Sequence, residues 1–204
     1  EKEPALDKNQ SAQEIIDGIH EVGGLAVLAH PAWSLNTPEM IMQLRDIDAT
    51  EIYNTVSEKG QSFRADSSLI VDMLASRGLN LPLLATDDAH MYDGIDNGIA
   101  YIMAECETNS PEDIKRAILE KRFYASQGPE VHLRLDGDGV TVLCSPCSEI
   151  VVYSNLVWSR CAFTGEALCQ AHYKLTGEEA FVRAEVRTKD GKRAWTHCIP
   201  LKTQ

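Results

Sequence analysis

Leu25-Ala26-Val27-Leu28-Ala29 is an unbroken apolar run closed by His30-Pro31. A strand that is apolar at every position suits a sheet covered on both faces, the situation of parallel strands in α/β proteins. Outward from this run, helix and strand signals alternate. Upstream, Ser11 and Glu14 have the spacing of a capping box, and Ile15, Ile16, Ile19 and Val22 recur at helical spacing until Gly23-Gly24 stops the helix. Downstream, Thr37-Pro38-Glu39 opens a helix carrying Ile41, Met42 and Leu44, and Ala49 to Asn54 reads as a strand. A third helix is predicted near Ser62 to Arg77, with Gly78 as its stop. Pro82 to Thr86, Gly98 to Ala104 and Phe123 to Ser126 read as further strands, with a helix opened by Ser110-Pro111 between the last two.

After Gly128-Pro129 the period changes. Val131, Leu133 and Leu135 alternate with polar residues, Asp136-Gly137-Asp138-Gly139 signals a turn, and Val140 to Cys144, Glu149 to Tyr153, Ala180 to Arg187 and Arg193 to Ile199 read as strands. The pattern predicts two units, residues 1–127 as parallel α/β and residues 128–204 as an antiparallel β-sandwich. Five candidate strands in the first unit amount to roughly half of a closed parallel barrel, which takes about 250 residues. The chain opens on Glu1 and a polar lead-in to Gln10, and the expectation is that an upstream half lies outside it.

The chain has 204 residues, 44% of them apolar and 25% charged, the composition of an ordinary globular protein. No apolar run approaches the roughly 18 to 20 residues that span a bilayer, and the lead-in lacks the pattern of a signal peptide. No membrane association is expected, and the expected location is cytoplasmic. The net charge is −12, from 19 basic and 31 acidic residues. All of that excess falls before Gly128, which argues against nonspecific nucleic-acid binding and favours a cation site. Six cysteines are expected to be reduced; Cys144-Ser145-Pro146-Cys147 has metal or redox spacing, and Cys144, Cys147, Cys161 and Cys169 form a further zinc possibility.

His30 closes one predicted strand, and Asp88 and His90 follow another, so all three belong to the carboxyl edge where α/β folds place their sites. In extended backbone, residues two apart point the same way, so Asp88 and His90 can converge on one ion while Asp87 points away. One carboxylate and two imidazoles suit zinc, manganese or iron better than calcium. Asn54 at a strand end and Arg64 at a helix start are candidates for touching a phosphate, and Glu51 reads as a surface strand residue with only a weak claim on the site.

Gly23-Gly24-Leu25-Ala26-Val27-Leu28-Ala29-His30-Pro31 resembles the "GG-x-x-x-x-AHP" motif of the PHP (polymerase and histidinol phosphatase) metal-dependent phosphoesterases. Ala85-Thr86-Asp87-Asp88-Ala89-His90 is similar to that family's late "GSDAH" motif, and Thr50-Glu51-Ile52-Tyr53-Asn54 to its "EVYN" stretch. Arg193-Ala194-Trp195-Thr196-His197 is similar to the end of a β-sandwich that follows the catalytic domain in some bacterial members. The resemblance implies the C-terminal part of a distorted parallel β/α barrel, TIM-barrel related, followed by an antiparallel β-sandwich. It also implies His30, Asp88 and His90 as ligands of divalent metal ions (zinc, manganese or iron). The family's further ligands, an early H-x-H motif, an aspartate-histidine pair and a glutamate, do not appear upstream of His30, and His20 lacks an H-x-H neighbour.

The implied activity is hydrolysis of a phosphate ester, on a phosphorylated small molecule or nucleotide, by metal-activated water. Part of the site is expected to lie outside this chain, which by itself is expected to be inactive. The alternative is a noncatalytic metal-binding or protein-interaction module.

Overall fold

The structure, a computed structural model, describes residues 3–4, 7–58, 62–91 and 94–201. Of the polar lead-in, residues 1, 2, 5 and 6 lie outside the described residues. The first helix, α1 (Ala12–Glu21), starts where the capping box places it: the Ser11 hydroxyl accepts from the Glu14 N–H, and the Glu14 carboxylate accepts from the Ser11 N–H. The apolar run yields a short strand, β1 (Val27–Leu28), and after the single-turn helix α2 (Pro38–Ile41) comes β2 (Ala49–Asn54), buried at all six positions. Helix α3 (Ser68–Ala75) leads to β3 (Leu83–Thr86). These strands form a parallel sheet in the order β1-β2-β3, so Leu28, Asn54 and Thr86 end at one edge.

From there the structure departs from the α/β expectation. Strand β4 (Tyr101–Ala104) runs into α4 (Pro111–Leu119) and returns as β5 (Phe123–Ser126), and these two strands pair antiparallel to each other. Along β4, Tyr101 and Met103 are 38% and 50% exposed while Ile102 packs inward against Ala49, Leu84 and Phe123. A strand with one solvated face is tolerated by an antiparallel sheet and poorly by a parallel one. The intervening helix therefore does not mark a crossover between parallel strands, and among the described residues no barrel closes.

Among the described residues, the rest of the chain forms one connected sheet in place of two separate ones. β6 (Val131–Asp136), β7 (Gly139–Tyr153), β8 (Ala162–Lys174), β9 (Phe181–Arg187), β10 (Arg193–Trp195) and β11 (Ile199–Pro200) join β4 and β5 in one eight-stranded antiparallel sheet. The expected C-terminal part of a parallel β/α barrel with an antiparallel β-sandwich is thus replaced by a small parallel sheet beside a large antiparallel one. The sheet crosses the expected 127/128 boundary, because Ala125 and Ser126 pair with Trp195 and Ala194.

Two predicted strands, Val140 to Cys144 and Glu149 to Tyr153, are one strand, β7. Its bulge accommodates Pro146, which has no N–H to give to a ladder. The first half of β7 pairs with β6 and the second with β9. Strand β8 escaped the sequence reading because Thr164, Gly165, Glu166, Gln170 and His172 dilute its apolar alternation.

Among the contacts that fasten the two sheets together, those of Arg183, Trp195 and His197 are buried. Arg183 on β9, fully buried, donates from Nε and Nη2 to Asp72 on α3 at 2.6 and 2.7 Å, while its guanidinium lies 4.1 Å over the Tyr153 ring. Trp195 stacks on Tyr53 of β2 at 5.5 Å. His197 accepts the Leu83 N–H at Nδ1 (3.0 Å) and packs edge-on against Phe123. Tyr53, Leu83 and Trp195 share a core with Ile52, Val71, Ala85 and Phe181.

Breaking the first contact leaves an unpaired buried guanidinium, so Asp72→Ala should cost about 3 kcal/mol in urea unfolding; a loss under about 0.5 kcal/mol would show that the pair does not fasten the sheets. Burial, helped by the nearby Lys121 charge, lowers the His197 pKa from 6.5 to about 4. The unfolded chain therefore binds a proton that the folded one refuses between those values, and stability falls as pH drops through that window, by on the order of 3 kcal/mol. His197→Gln should flatten this part of the stability-pH curve; an unchanged slope would contradict the assignment.

Candidate functional site

The carboxyl edge of the parallel sheet is organised by Glu51, on β2. Its side chain lies among buried residues, and both its oxygens are used: Oε2 accepts the His30 N–H (2.7 Å) and Asn54 Nδ2–H (2.9 Å), and Oε1 accepts the Thr86 hydroxyl (2.6 Å). One carboxylate thus ties together the ends of all three parallel strands. Glu51 is thus buried, not at the surface as its place in the strand pattern suggests. The available signal was a carboxylate inside a strand otherwise built to be buried, since a buried carboxylate is stable only with several donors around it.

On this frame sit His30 and Asp88, whose Nε2 and Oδ2 atoms lie 3.9 Å apart. Both residues adopt left-handed backbone, with φ of 31° and 53°. Such conformations are uncommon for residues other than glycine and concentrate at functional sites. The His30 ring is set by Nδ1 against the Ser34 hydroxyl at 2.8 Å and by an edge contact with Trp33. Asn54 Nδ2–H also reaches Asp88 Oδ2 at 3.4 Å, and Asn54 Oδ1 accepts from the Ser57 N–H and hydroxyl. The strand-end Asn54 thus bridges the Glu51 and Asp88 carboxylates through one amide nitrogen. Asp87 faces the other way, accepting from the Thr55 hydroxyl and the Ala100 N–H, each at 2.8 Å.

His90 departs from the expected convergence. The left-handed turn at Asp88 breaks the extended alternation on which that expectation rested, and His90 is exposed. Its Nδ1–H donates to the Asp88 carbonyl at 2.6 Å, because a carbonyl can only accept, which leaves the lone pair on Nε2. Its N–H and that of Met91 donate to the Asp96 carboxylate, and these backbone hydrogen bonds hold the Asp96 pKa below the usual value. Arg64 is exposed, and its N–H donates to the Ser57 carbonyl. His20 is occupied elsewhere, its Nε2 being 2.7 Å from Asp48, which also accepts the Ala26 N–H.

The donors have the right chemistry for a divalent cation. Two ligand atoms each about 2.1 Å from one ion in tetrahedral geometry lie roughly 3.4 Å apart, close to the His30–Asp88 separation. His90 is held by a hydrogen bond of the kind that fixes metal-binding imidazoles in one tautomer. The set does not close: among the described residues no three His, Cys, Asp or Glu side chains form a group that could hold a metal ion. The four cysteines considered for zinc likewise do not gather among the described residues; of them, Cys144 and Cys147 meet, at 3.6 Å.

No family model, curated protein or solved structure matches the chain. No helix among the described residues is long and apolar enough to cross a membrane.

Removing the organising carboxylate strands three donors at once. Glu51→Ala should therefore cost about 2 to 4 kcal/mol in stability and accelerate hydrogen exchange at the His30 amide. An unchanged exchange rate at His30 would show that Glu51 does not hold the strand ends together.

Proposed function

We propose that this chain supplies late ligands of a metal-dependent phosphoesterase, with His30, Asp88 and His90 as the ligands and a phosphorylated small molecule or nucleotide as substrate. The observation that supports it is the pairing of His30 Nε2 with Asp88 Oδ2 at 3.9 Å on the edge framed by Glu51. That pairing joins the two motifs that resemble the PHP enzymes. In this reading Nδ1–H of His30 donates to Ser34 and leaves Nε2 free, and Asn54 orients the Asp88 carboxylate. His90 completes the set by swinging its free Nε2 toward the pair, and exposed Arg64 meets the phosphate as a cation. A bound divalent ion of the zinc, manganese or iron type would lower the pKa of water and neutralise charge on the phosphoryl oxygens. The further ligands of such a centre come from outside these residues, and the location is cytoplasmic, where thiols stay reduced.

A second reading is a noncatalytic metal-binding or protein-interaction module. It is favoured by the hydrogen bond that turns His90 Nδ1 onto the Asp88 carbonyl, so that two ligands meet and the third stands apart.

Titration of manganese or zinc at pH 7.5 should show binding that Asp88→Ala and His90→Ala each weaken at least tenfold. Equal binding by wild type and both variants would overturn the site. The chain by itself should hydrolyse p-nitrophenyl phosphate barely above background, whereas a longer form supplying an H-x-H ligand set should turn it over in a metal-dependent way that Asp88→Ala abolishes. A longer form that binds metal but hydrolyses no phosphoester in a broad screen would favour the module.

A further inference from the structure

The Cys144-Ser145-Pro146-Cys147 motif plays no part in the carboxyl-edge site, yet its geometry is specific. In a regular strand, residues three apart lie about 10 Å from each other and on opposite faces. Here Leu143 pairs with Gln170 and Cys147 with Leu168, so four steps along β7 oppose two along β8. The excess is taken up in a bulge, held from the other side by the Ser145 N–H on the Glu130 carbonyl and the Glu130 N–H on the Ser145 hydroxyl. As a result the two sulfurs come within 3.6 Å of each other, and both reach the same Leu168 carbonyl, at 3.7 Å from Cys144 and 3.3 Å from Cys147. Cys147 is buried and Cys144 partly exposed, so a reagent from solvent meets Cys144 first.

We propose that Cys144 and Cys147 are a thiol-disulfide modification site, a dithiol that a low-molecular-weight disulfide oxidises to an intrachain disulfide across the β7 bulge. In the first step the Cys144 thiolate attacks one sulfur of the small disulfide, forming a mixed disulfide and expelling one small thiolate. The Cys147 thiolate then attacks Cys144 Sγ, forming the intrachain bond and expelling the second small thiolate. The two protons lost by the protein thiols end on the two small thiols, so the protein loses two electrons and the reagent gains two. Closure needs the sulfurs to approach from 3.6 Å to about 2.05 Å, a movement within reach of side-chain rotation. Burial raises the pKa of both thiols, which makes exchange slow and also disfavours the thiolate form that a metal would need. The bulge lies where β7 exchanges β6 for β9 as partner, so the bond would pin the corner of the antiparallel sheet.

The test incubates the native full chain with oxidised glutathione, quenches in acid, alkylates the remaining thiols and maps the peptides. The expected result is loss of two of the six thiols, with a peptide lighter by two hydrogens that carries Cys144 linked to Cys147. Cys147→Ser should stop at a glutathione adduct on Cys144, and Cys144→Ser should lose the reaction at both positions. If either variant fails to fold, the wild-type map decides alone. No thiol loss at the pair, a persistent glutathione adduct in wild type, or linkage to Cys161 or Cys169 would overturn the proposal. Protection of the pair by zinc alone at stoichiometric concentration would overturn it in favour of a metal site.

Discussion

The buried pair of Arg183 with Asp72 is the constraint on which the arrangement of the two sheets depends. A fully buried guanidinium is tolerable only if its charge is met, and both oxygens of Asp72 meet it from helix α3. The helix is thereby fixed to the antiparallel sheet, and its position is passed on to the site. Ser67, just ahead of α3, donates its N–H to the Ile52 carbonyl on β2 and accepts the Ala32 N–H at its hydroxyl. Ala32 follows His30 by two residues, so the loop carrying His30 is anchored to the start of the same helix. Folding of the large sheet and placement of the candidate ligand are linked through hydrogen bonds that each have a named donor and acceptor.

Glu51 continues that logic at the edge itself. Its carboxylate satisfies His30, Asn54 and Thr86 and holds the strand ends in a fixed relation, while the left-handed backbones of His30 and Asp88 turn their side chains toward each other. Backbone strain of this kind is sustained only where surrounding contacts over-determine it. The same turn that presents Asp88 also takes His90 out of alignment with it, so the local geometry brings two of the three candidate ligands together. The exposure of those two side chains, 24% for His30 and 36% for Asp88, leaves both reachable by a solvated ion.

Features written in neighbouring residues were legible in the sequence. The capping box at Ser11, the strands at β2 and β3, the turn at Asp136 to Gly139 and the carboxyl-edge position of His30 and Asp88 all follow from local pattern. What depends on distant pairing was not legible. The direction of β4 and β5 is set by β10, about seventy residues further on, and a helix between two strands says nothing of that partner. The joining of two predicted strands through Pro146 required the bulge, which no local propensity encodes. The left-handed turn at Asp88 was equally hidden, because aspartate can adopt that conformation but does so at few of its positions, and with it went the expected approach of His90.

The proposed role of the edge framed by Glu51 is to hold a divalent cation between His30 and Asp88. Manganese added in small substoichiometric amounts to isotope-labelled protein tests this through paramagnetic broadening of amide signals, which acts only near the ion. The expected result is selective loss of the signals of His30, Ser34, Asn54, Asp88 and His90, restored by a chelator. Broadening spread over the acidic surface, or confined to residues away from this edge, would contradict it.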